Sequence, residues 1–426
     1  MSTTRSLAAV LPQQPTPHAF AKPKGLVLQT RATGQRRRYR LPSVLMRSGT
    51  SRGLFLHRHH LPSSHSEWDA ILISAMGSRN NDPRQLEGVG GATSTTSKAV
   101  VVSKSDKPGI DVEYTFFQIT VGQEKVDMTG NCGNMASGVA AFALDEGLVT
   151  AVPGQSELSV TIFNTNTQST LVETIQVDSD GHFLEDGEYR ISGVKGTGSS
   201  IKVSFINPGG SMTGSVFPTG RPCDELLVKA KSMPEPFTVR ATLIDVSNPF
   251  IFVDSSTMPP AYCAAAQDSD ISLDIIESIR CQGAVDYGLA KDTETASLRR
   301  GTPKITLVSK PPALLSDSGN ASDVFVLAYS MGKVHPSVQL TGAVCLGAAA
   351  SLEGTVVSEL SMKEGTPCSM IQTRPEPHQE NRHIVIGHNS GTIDVEVSIG
   401  EENQVQSITV FRTARRLFEG TILVSV

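Results

Sequence analysis

"MTGNCGNMASGVAAFALDEGLV", Met128 to Val149, reads as a helix that opens on a cysteine and carries little but small residues on its flanks. A helix so rich in Ala, Gly and Ser is one that its surroundings approach closely, as when a sheet wraps around it. An Asn or Thr in front of such a helix caps it and leaves the first backbone N–H groups unpaired. The macrodipole adds partial positive charge at the same place. Thiolates and carboxylates are both stabilised there. Asn131, Cys132, Gly133 and Asn134 are therefore candidates for an anion site, with Cys132 also a candidate proton carrier. The plainer alternative is a small buried helix-start residue that happens to be cysteine.

Upstream, "KAVVVSKS" and "DVEYTFFQITV" are β-rich runs separated by the turn Asp106-Lys107-Pro108-Gly109. Before them, "SEWDAILISAMGS" places Trp68, Ile71, Leu72, Ala75 and Met76 at helical spacing behind an acidic first turn. "LPSVLMRSGTSRGLFLHR" is strand, turn, strand. Downstream come "ELSVTIFNTNT", "LVETIQVDS" and "GSSIKVSFI", then the Gly/Pro-rich stretch 207–222, which reads as a linker. The plan then repeats. "FTVRATLIDVSNPFIFVDSS" is two strands, "DISLDIIESIRCQGAVDYGLA" a helix, and "PKITLVSK" and "SDVFVLAYSMGK" strands. "HPSVQLTGAVCLGAAASLEGTV" is a second small-residue helix, with His335, Thr341 and Gly342 near its start, and strands close the chain. The repeat is one of architecture, not of sequence. The expected fold is α+β, with similar domains at 41–206 and 223–426. Each is a curled, mostly antiparallel sheet around a central helix, with a cleft between them.

At 426 residues the chain exceeds one ordinary core, which agrees with two domains. A net charge of -5 gives no reason to expect nucleic acid, and no run reaches the length of a membrane span. Six cysteines lie far apart, none as CxxC or at zinc-finger spacing, so free thiols in a reducing compartment are expected. His57, His59, His60 and His65 cluster, but no acidic ligand is close in sequence, and no metal is expected. Residues 1–40 carry eight basic residues and no acid. That composition fits a mitochondrial transit peptide, while four prolines favour a disordered basic arm. The stretch is set aside from the fold, and the compartment stays open between cytoplasm and mitochondrion.

Two further stretches could do chemistry. "GVGGATSTTSK" (88–98) lacks the GK[ST] of a phosphate loop, and Thr93 stands where a dinucleotide fingerprint needs its last glycine. What remains is a loop dense in N–H and hydroxyl donors, at Gly91, Thr93, Ser94 and Thr95, fit to cradle an anion. It ends on Lys98, which could act as a base if desolvated, or could be a solvated lysine on an edge strand. "MRSGTSRG" (46–53) offers Arg47 and Arg52, suited to a carboxylate, with Ser48, Thr50 and Ser51 between them. Its plainer reading is a surface turn.

Taken in order, "MRSGTSRG", "GVGGATSTTSK", "NCGNMASGVAAFALDEGLV", "LIDVSNPFIFV", "TGAVCLGAA", "IGHNSGTIDV" and "RTARRLFEG" resemble the PrpF family of 2-methylaconitate isomerases, over roughly residues 41 to 426. The resemblance implies a diaminopimelate epimerase-like fold with the active site between the halves. It implies isomerisation of an aconitate-like di- or tricarboxylic acid by proton transfer, without a cofactor, with Lys98 as base. A small carboxylic acid is the expected partner, and a homodimer is possible. Epimerases of this fold oppose two cysteines across the substrate. Cys132 matches the first, but "HPSVQLTGA" stands where the second is expected, and Cys345 lies farther along. Ser48, Arg52 and Asn389 replace the family's usual Gly, Lys and Pro, which leaves the substrate open among cis-aconitate, 2-methylaconitate, oxalomesaconate and larger relatives. A catalytically silent carboxylate-binding protein and an amino-acid racemase are the rival expectations.

Overall fold

The computed structural model describes residues 38–312, 322–361, 380–400 and 404–426. Most of the basic leader lies outside the described residues. Its last three residues do not: strand β1 begins at Arg38, so the fold starts three residues earlier than the composition indicated.

The first half contains β1 (Arg38–Ser48), β2 (Ser51–His57), β3 (Lys98–Lys104), β4 (Val112–Ile119), β5 (Glu157–Asn164), β6 (Ser169–Gln176) and β7 (Ile201–Ile206). The second contains β8 (Asp224–Val228), β9 (Phe237–Asp245), β10 (Pro249–Asp254), β11 (Lys304–Ser309), β12 (Val324–Ser330), β13 (Glu380–His388), β14 (Gly391–Ile399) and β15 (Val405–Arg412), and β16 (Ala414–Ser425) ends the chain. Side by side the strands run β16, β1 to β7 in order, then β15 back to β8 in order. The seam is β7 against β15, antiparallel from Ile201–Arg412 to Ile206–Ser407. Every pairing in this series is antiparallel except β2–β3 and β4–β5 in one half, and β10–β11 and β12–β13 in the other. The parallel pairs fall at equivalent places, so the halves are related by a pseudo-twofold through the seam.

One boundary differs from the expected domains. β16 belongs by chain order to the second half, yet it pairs along its length with β1 in the first. It takes the place that β8 takes beside β9. Alternation of apolar residues marks a strand but not its distant partner, so this exchange has no local signature.

Helix α1 (Trp68–Met76) buries the five residues expected of it and ends at Gly77 (φ 80), whose N–H bonds the carbonyls of Ile73 and Ser74. It covers the outer face of the first half, on Leu54, Leu56, Ala99 and Val101. Helix α4 (Asp270–Asp286), capped by Ser269, does the same in the second half. The small-residue helices lie inside. The first is not continuous: α2 (Gly133–Ala136) and α3 (Val139–Asp145) are separated at Ser137–Gly138. There the Ser48 hydroxyl donates to the Asn134 carbonyl at 2.5 Å, and the Phe55 ring presses on Gly138. The second, α5 (Leu340–Ser351), is unbroken and almost wholly buried. One apolar core runs through both halves around these helices. They meet start to start, with the Leu340 side chain against Gly133.

Candidate active site

Where the two inner helices meet, the halves border a partly open cavity. Ten of the residues proposed from the sequence line it: Ser51, Ser94, Thr95, Lys98, Asn131, Cys132, Gly133, Asn134, His335 and Thr341. Phe116, Gln118, Asp127, Gly301, Lys304, Ser330, Met331 and Gln339 are among those that complete the wall.

Lys98 opens β3 and is 7% exposed. Its Nζ donates to Gln118 Oε1 at 2.5 Å and lies 5.2 Å from the centre of the Phe116 ring. Burial pushes its pKa below the ordinary 10.5, while the neighbouring Cys132, which also shares a hydrogen bond with it, pulls the other way. Among the described residues Lys98 forms no ion pair with a carboxylate. It is thus a desolvated amine rather than a solvated edge-strand lysine.

Cys132 precedes α2 in extended conformation (φ -118, ψ 98). Because α2 is a single turn, the long dipole expected of one continuous helix is absent. What remains is local: the N–H groups of Gly133 and Asn134 have no partner within the helix. The Tyr114 hydroxyl donates to Asn131 Oδ1 at 2.7 Å. Asn131 Nδ2, Thr341 Oγ1 and Gln339 Oε1 are buried on the cavity wall and have no hydrogen-bond partner among the described residues. Buried polar atoms without partners are rare, and here they converge on one space.

The residue before α5, equivalent to Cys132 before α2, is Gln339. Cys345 is buried inside α5, with its thiol on the Ile244 carbonyl. Two opposed thiols are therefore not available. Burial holds the His335 pKa down to about 4, so this ring is neutral at pH 7.

Seven of the proposed residues lie off the cavity. Arg47 is committed elsewhere, its Nη1 donating to the Gly49 carbonyl and to the Thr413 carbonyl and hydroxyl at 2.9–3.1 Å. Arg52 backs the donor-rich loop, its N–H bonding the Thr95 carbonyl and its guanidinium lying against Gly91. Neither arginine is among the residues that line the cavity. Ser48 supports the helix break, Thr50 accepts from Asn134 Nδ2 at 3.0 Å, and Thr93 bonds the Thr95 and Thr96 hydroxyls. Gly342 faces the Phe250 ring.

Sequence reading missed the residues that organise the site. Gln85 is buried and shapes the loop, accepting from the Ala92 N–H and the Ser97 hydroxyl. Arg412, also buried, orients Asn134 through a 3.3 Å bond. Lys304 is the cavity's second amine, donating to the Asn131 carbonyl at 3.3 Å. A signal for it existed: "KAVVVSK" (98–104) and "KITLVSK" (304–310) begin and end alike.

The family described as PrpF protein matches residues 38–425. The 2-methyl-aconitate isomerase of Shewanella oneidensis is 33% identical over 407 residues, which cover 90% of this chain and 97% of that protein. A crystal structure of a methylitaconate-delta-isomerase superposes with a TM-score of 0.67 at 32% identity, covering 91% of this chain and 96% of the other. A hydroxyproline epimerase from Agrobacterium vitis shares the fold, with a TM-score of 0.50 at 10% identity and coverage of 91% and 93%. No helix among the described residues is long and apolar enough to cross a membrane.

Proposed function

The chain belongs to the PrpF family and is an isomerase of unsaturated carboxylic acids, and we propose that it shifts a proton and a C=C bond in an aconitate-like di- or tricarboxylate without a cofactor. The observation that carries this is Lys98: an amine buried without a carboxylate partner, beside Cys132, facing a cavity lined by unpaired polar atoms.

In this mechanism neutral Lys98 takes a proton from a carbon allylic to the double bond and activated by a carboxylate. The electron pair moves into an extended enolate. The N–H groups at Gly133 and Asn134, the amide of Asn131 and the hydroxyl of Thr341 donate hydrogen bonds to the developing oxyanion, which is where stabilisation accelerates most. Cys132 returns a proton at the other end of the allyl system. Proton transfer by a placed group supplies about 10²–10⁴-fold, so the donor set carries much of the remainder.

The test is proton NMR in D₂O with cis-aconitate, 2-methylaconitate and oxalomesaconate. A repositioned double bond, with deuterium at the new C–H, is the expected result. No product and no exchange with any of them overturns the proposal in favour of a carboxylate-binding protein.

A further inference from the structure

A second cavity backs onto the first. It lies where the ends of β13 and β15 meet the segment 189–192 and the stretch before α5. The wall between the two cavities is thin. Ser51 lines the first and Thr50 the second, and His335 lines the first and Ser337 the second. Asn134 belongs to that wall. It lines the first cavity, while its side chain bonds two residues of the second: Nδ2 donates to Thr50 Oγ1 at 3.0 Å, and Oδ1 accepts from Arg412 Nε at 3.3 Å.

The second cavity is built around donors. Arg412 is 6% exposed, yet no carboxylate pairs with it among the described residues. Its Nε is taken by Asn134 and its Nη1 donates to the Phe411 carbonyl at 2.8 Å, while Nη2 has no partner among the described residues. His388 is also buried, and its Nδ1 accepts from the Ser390 N–H at 3.1 Å, which leaves the ring proton on Nε2 as a donor. Burial and the charge of Arg412 hold the His388 pKa down to about 4, so the ring is neutral at pH 7. The Ser337 hydroxyl is buried on the same wall and has no partner among the described residues. A buried charge without a counter-charge is costly, and a guanidinium keeps its proton at neutral pH. An anion in this space satisfies all three groups at once.

The rest of the wall bounds the charge and body of that anion. Asp394 lines the cavity, its carboxylate 3.1 Å from His383 Nε2, and opposes a second negative charge. The buried side chains of Ile191, Val338 and Ile393 supply an apolar surface beside the donors. The exposed Arg190 lines the cavity as well and adds attraction for an incoming anion.

We infer that this cavity is a binding site for a small monocarboxylate with a short aliphatic body, its two oxygens shared among Arg412 Nη2, His388 Nε2 and the Ser337 hydroxyl. The site is distinct from the cavity that holds Lys98 and Cys132. Its consequence for turnover rests on the isomerase function proposed above. The guanidinium of Arg412 adds positive potential behind Asn134, one of the donors assigned to the enolate. A carboxylate on Arg412 cancels that potential. Occupancy therefore lowers kcat without competing for substrate.

The probe is butyrate, titrated by calorimetry into the full-length chain. The wild type is compared with the double variant Ser337→Ala/His388→Asn, with Arg412→Met, and with Thr341→Val, which alters only the first cavity. The asparagine keeps an acceptor for the Ser390 N–H but does not reach the position of Nε2, and Ser337 has no side-chain bond to lose, so the thermal transition of the double variant is expected to stay in place. Its butyrate affinity is expected to fall by about tenfold or more, the scale of lost hydrogen bonds to a charged group. Arg412→Met is expected to abolish binding, and Thr341→Val to leave it unchanged. No binding of millimolar butyrate by the wild type, equal affinity in the double variant, or loss of binding in Thr341→Val overturns the site. Tighter binding of inorganic phosphate than of butyrate overturns its assignment to a monocarboxylate. In steady-state isomerisation, butyrate is expected to lower kcat with KM unchanged in the wild type and to lose this effect in the double variant. Full kcat with the site saturated overturns the coupling through Asn134. A chain that binds butyrate as described but turns over no member of the substrate panel overturns the isomerase function and not the site.

Discussion

Gly53 lies directly beside Lys98 in parallel register, with no room between their backbones. A Cβ at Gly53 would stand 2.5 Å from the Lys98 carbonyl oxygen and 2.7 Å from Met135 Cε. The methionine can swing away, but a strand backbone cannot. Gly53→Ala is therefore expected to displace the start of β3, and Lys98 with it. A misplacement near 1 Å at a reacting group costs on the order of 10²-fold in rate. The same overpacking costs about 1–3 kcal/mol of stability. Steady-state kinetics beside a thermal melt tests this, and an unaltered kcat would show that Lys98 does not need this support.

In the proposed mechanism Cys132 and Lys98 divide the proton transfers between them, so their variants should fail differently. Lys98→Met should stop both isomerisation and exchange of substrate hydrogens with D₂O. Cys132→Ala should slow isomerisation by about 10²-fold or more, because one proton carrier is gone. It should leave exchange at the first carbon running, since Lys98 still removes and returns that proton. Both rates are read from one NMR time course. Full isomerisation by Cys132→Ala would leave Lys98 to carry the proton between both ends.

The reach of the sequence followed the range of the interactions. α1 was legible residue by residue, because burial of Trp68, Ile71, Leu72, Ala75 and Met76 depends on a period set within nine residues. Lys98 and the helix start at Asn131–Asn134 were legible because a donor-rich loop and a small-residue helix have local composition. The break at Ser137–Gly138 was not, since its cause is Ser48 on another strand. Arg47 and Arg52 illustrate the same limit: their type suited a carboxylate, but their direction is decided by the Thr413 carbonyl and by the loop at Gly91. Lys304 was missed although "KITLVSK" echoes "KAVVVSK", because the echo gains meaning only when the sheet register superposes the two strands.

Residues 211–213, near the start of the Gly/Pro-rich stretch, are held by a buried carboxylate. Asp245 accepts from the Ser211 hydroxyl, the N–H groups of Met212 and Thr213 and the Thr213 hydroxyl, at 2.7–2.9 Å. Asp245→Ala removes the acceptor from all four donors. The expected loss is about 2–4 kcal/mol, with faster proteolysis of segment 209–215. The cavity residues are untouched, so kcat of the folded fraction should be kept. Cleavage no faster than in the wild-type chain would mean that other contacts hold the segment.

Glu173 sits on β6 inside the core, one oxygen accepting from the Ala140 N–H at 2.9 Å and the other without a partner among the described residues. Burial raises its pKa well above the ordinary 4.5. The folded state therefore holds a proton at pH values where the unfolded chain has released it. Stability must then fall as pH rises from about 4.5 towards the folded-state value, because the folded form binds more protons throughout that window. Glu173→Gln keeps the shape and the acceptor oxygen but cannot ionise. The variant should match the wild type near pH 4.5 and become the more stable of the two at pH 8, with the gap widening steadily between. Urea unfolding at a series of pH values measures it. A wild-type chain whose advantage over Glu173→Gln grew with pH would require an ionised, stabilising carboxylate in the core and would reverse the sign argued here.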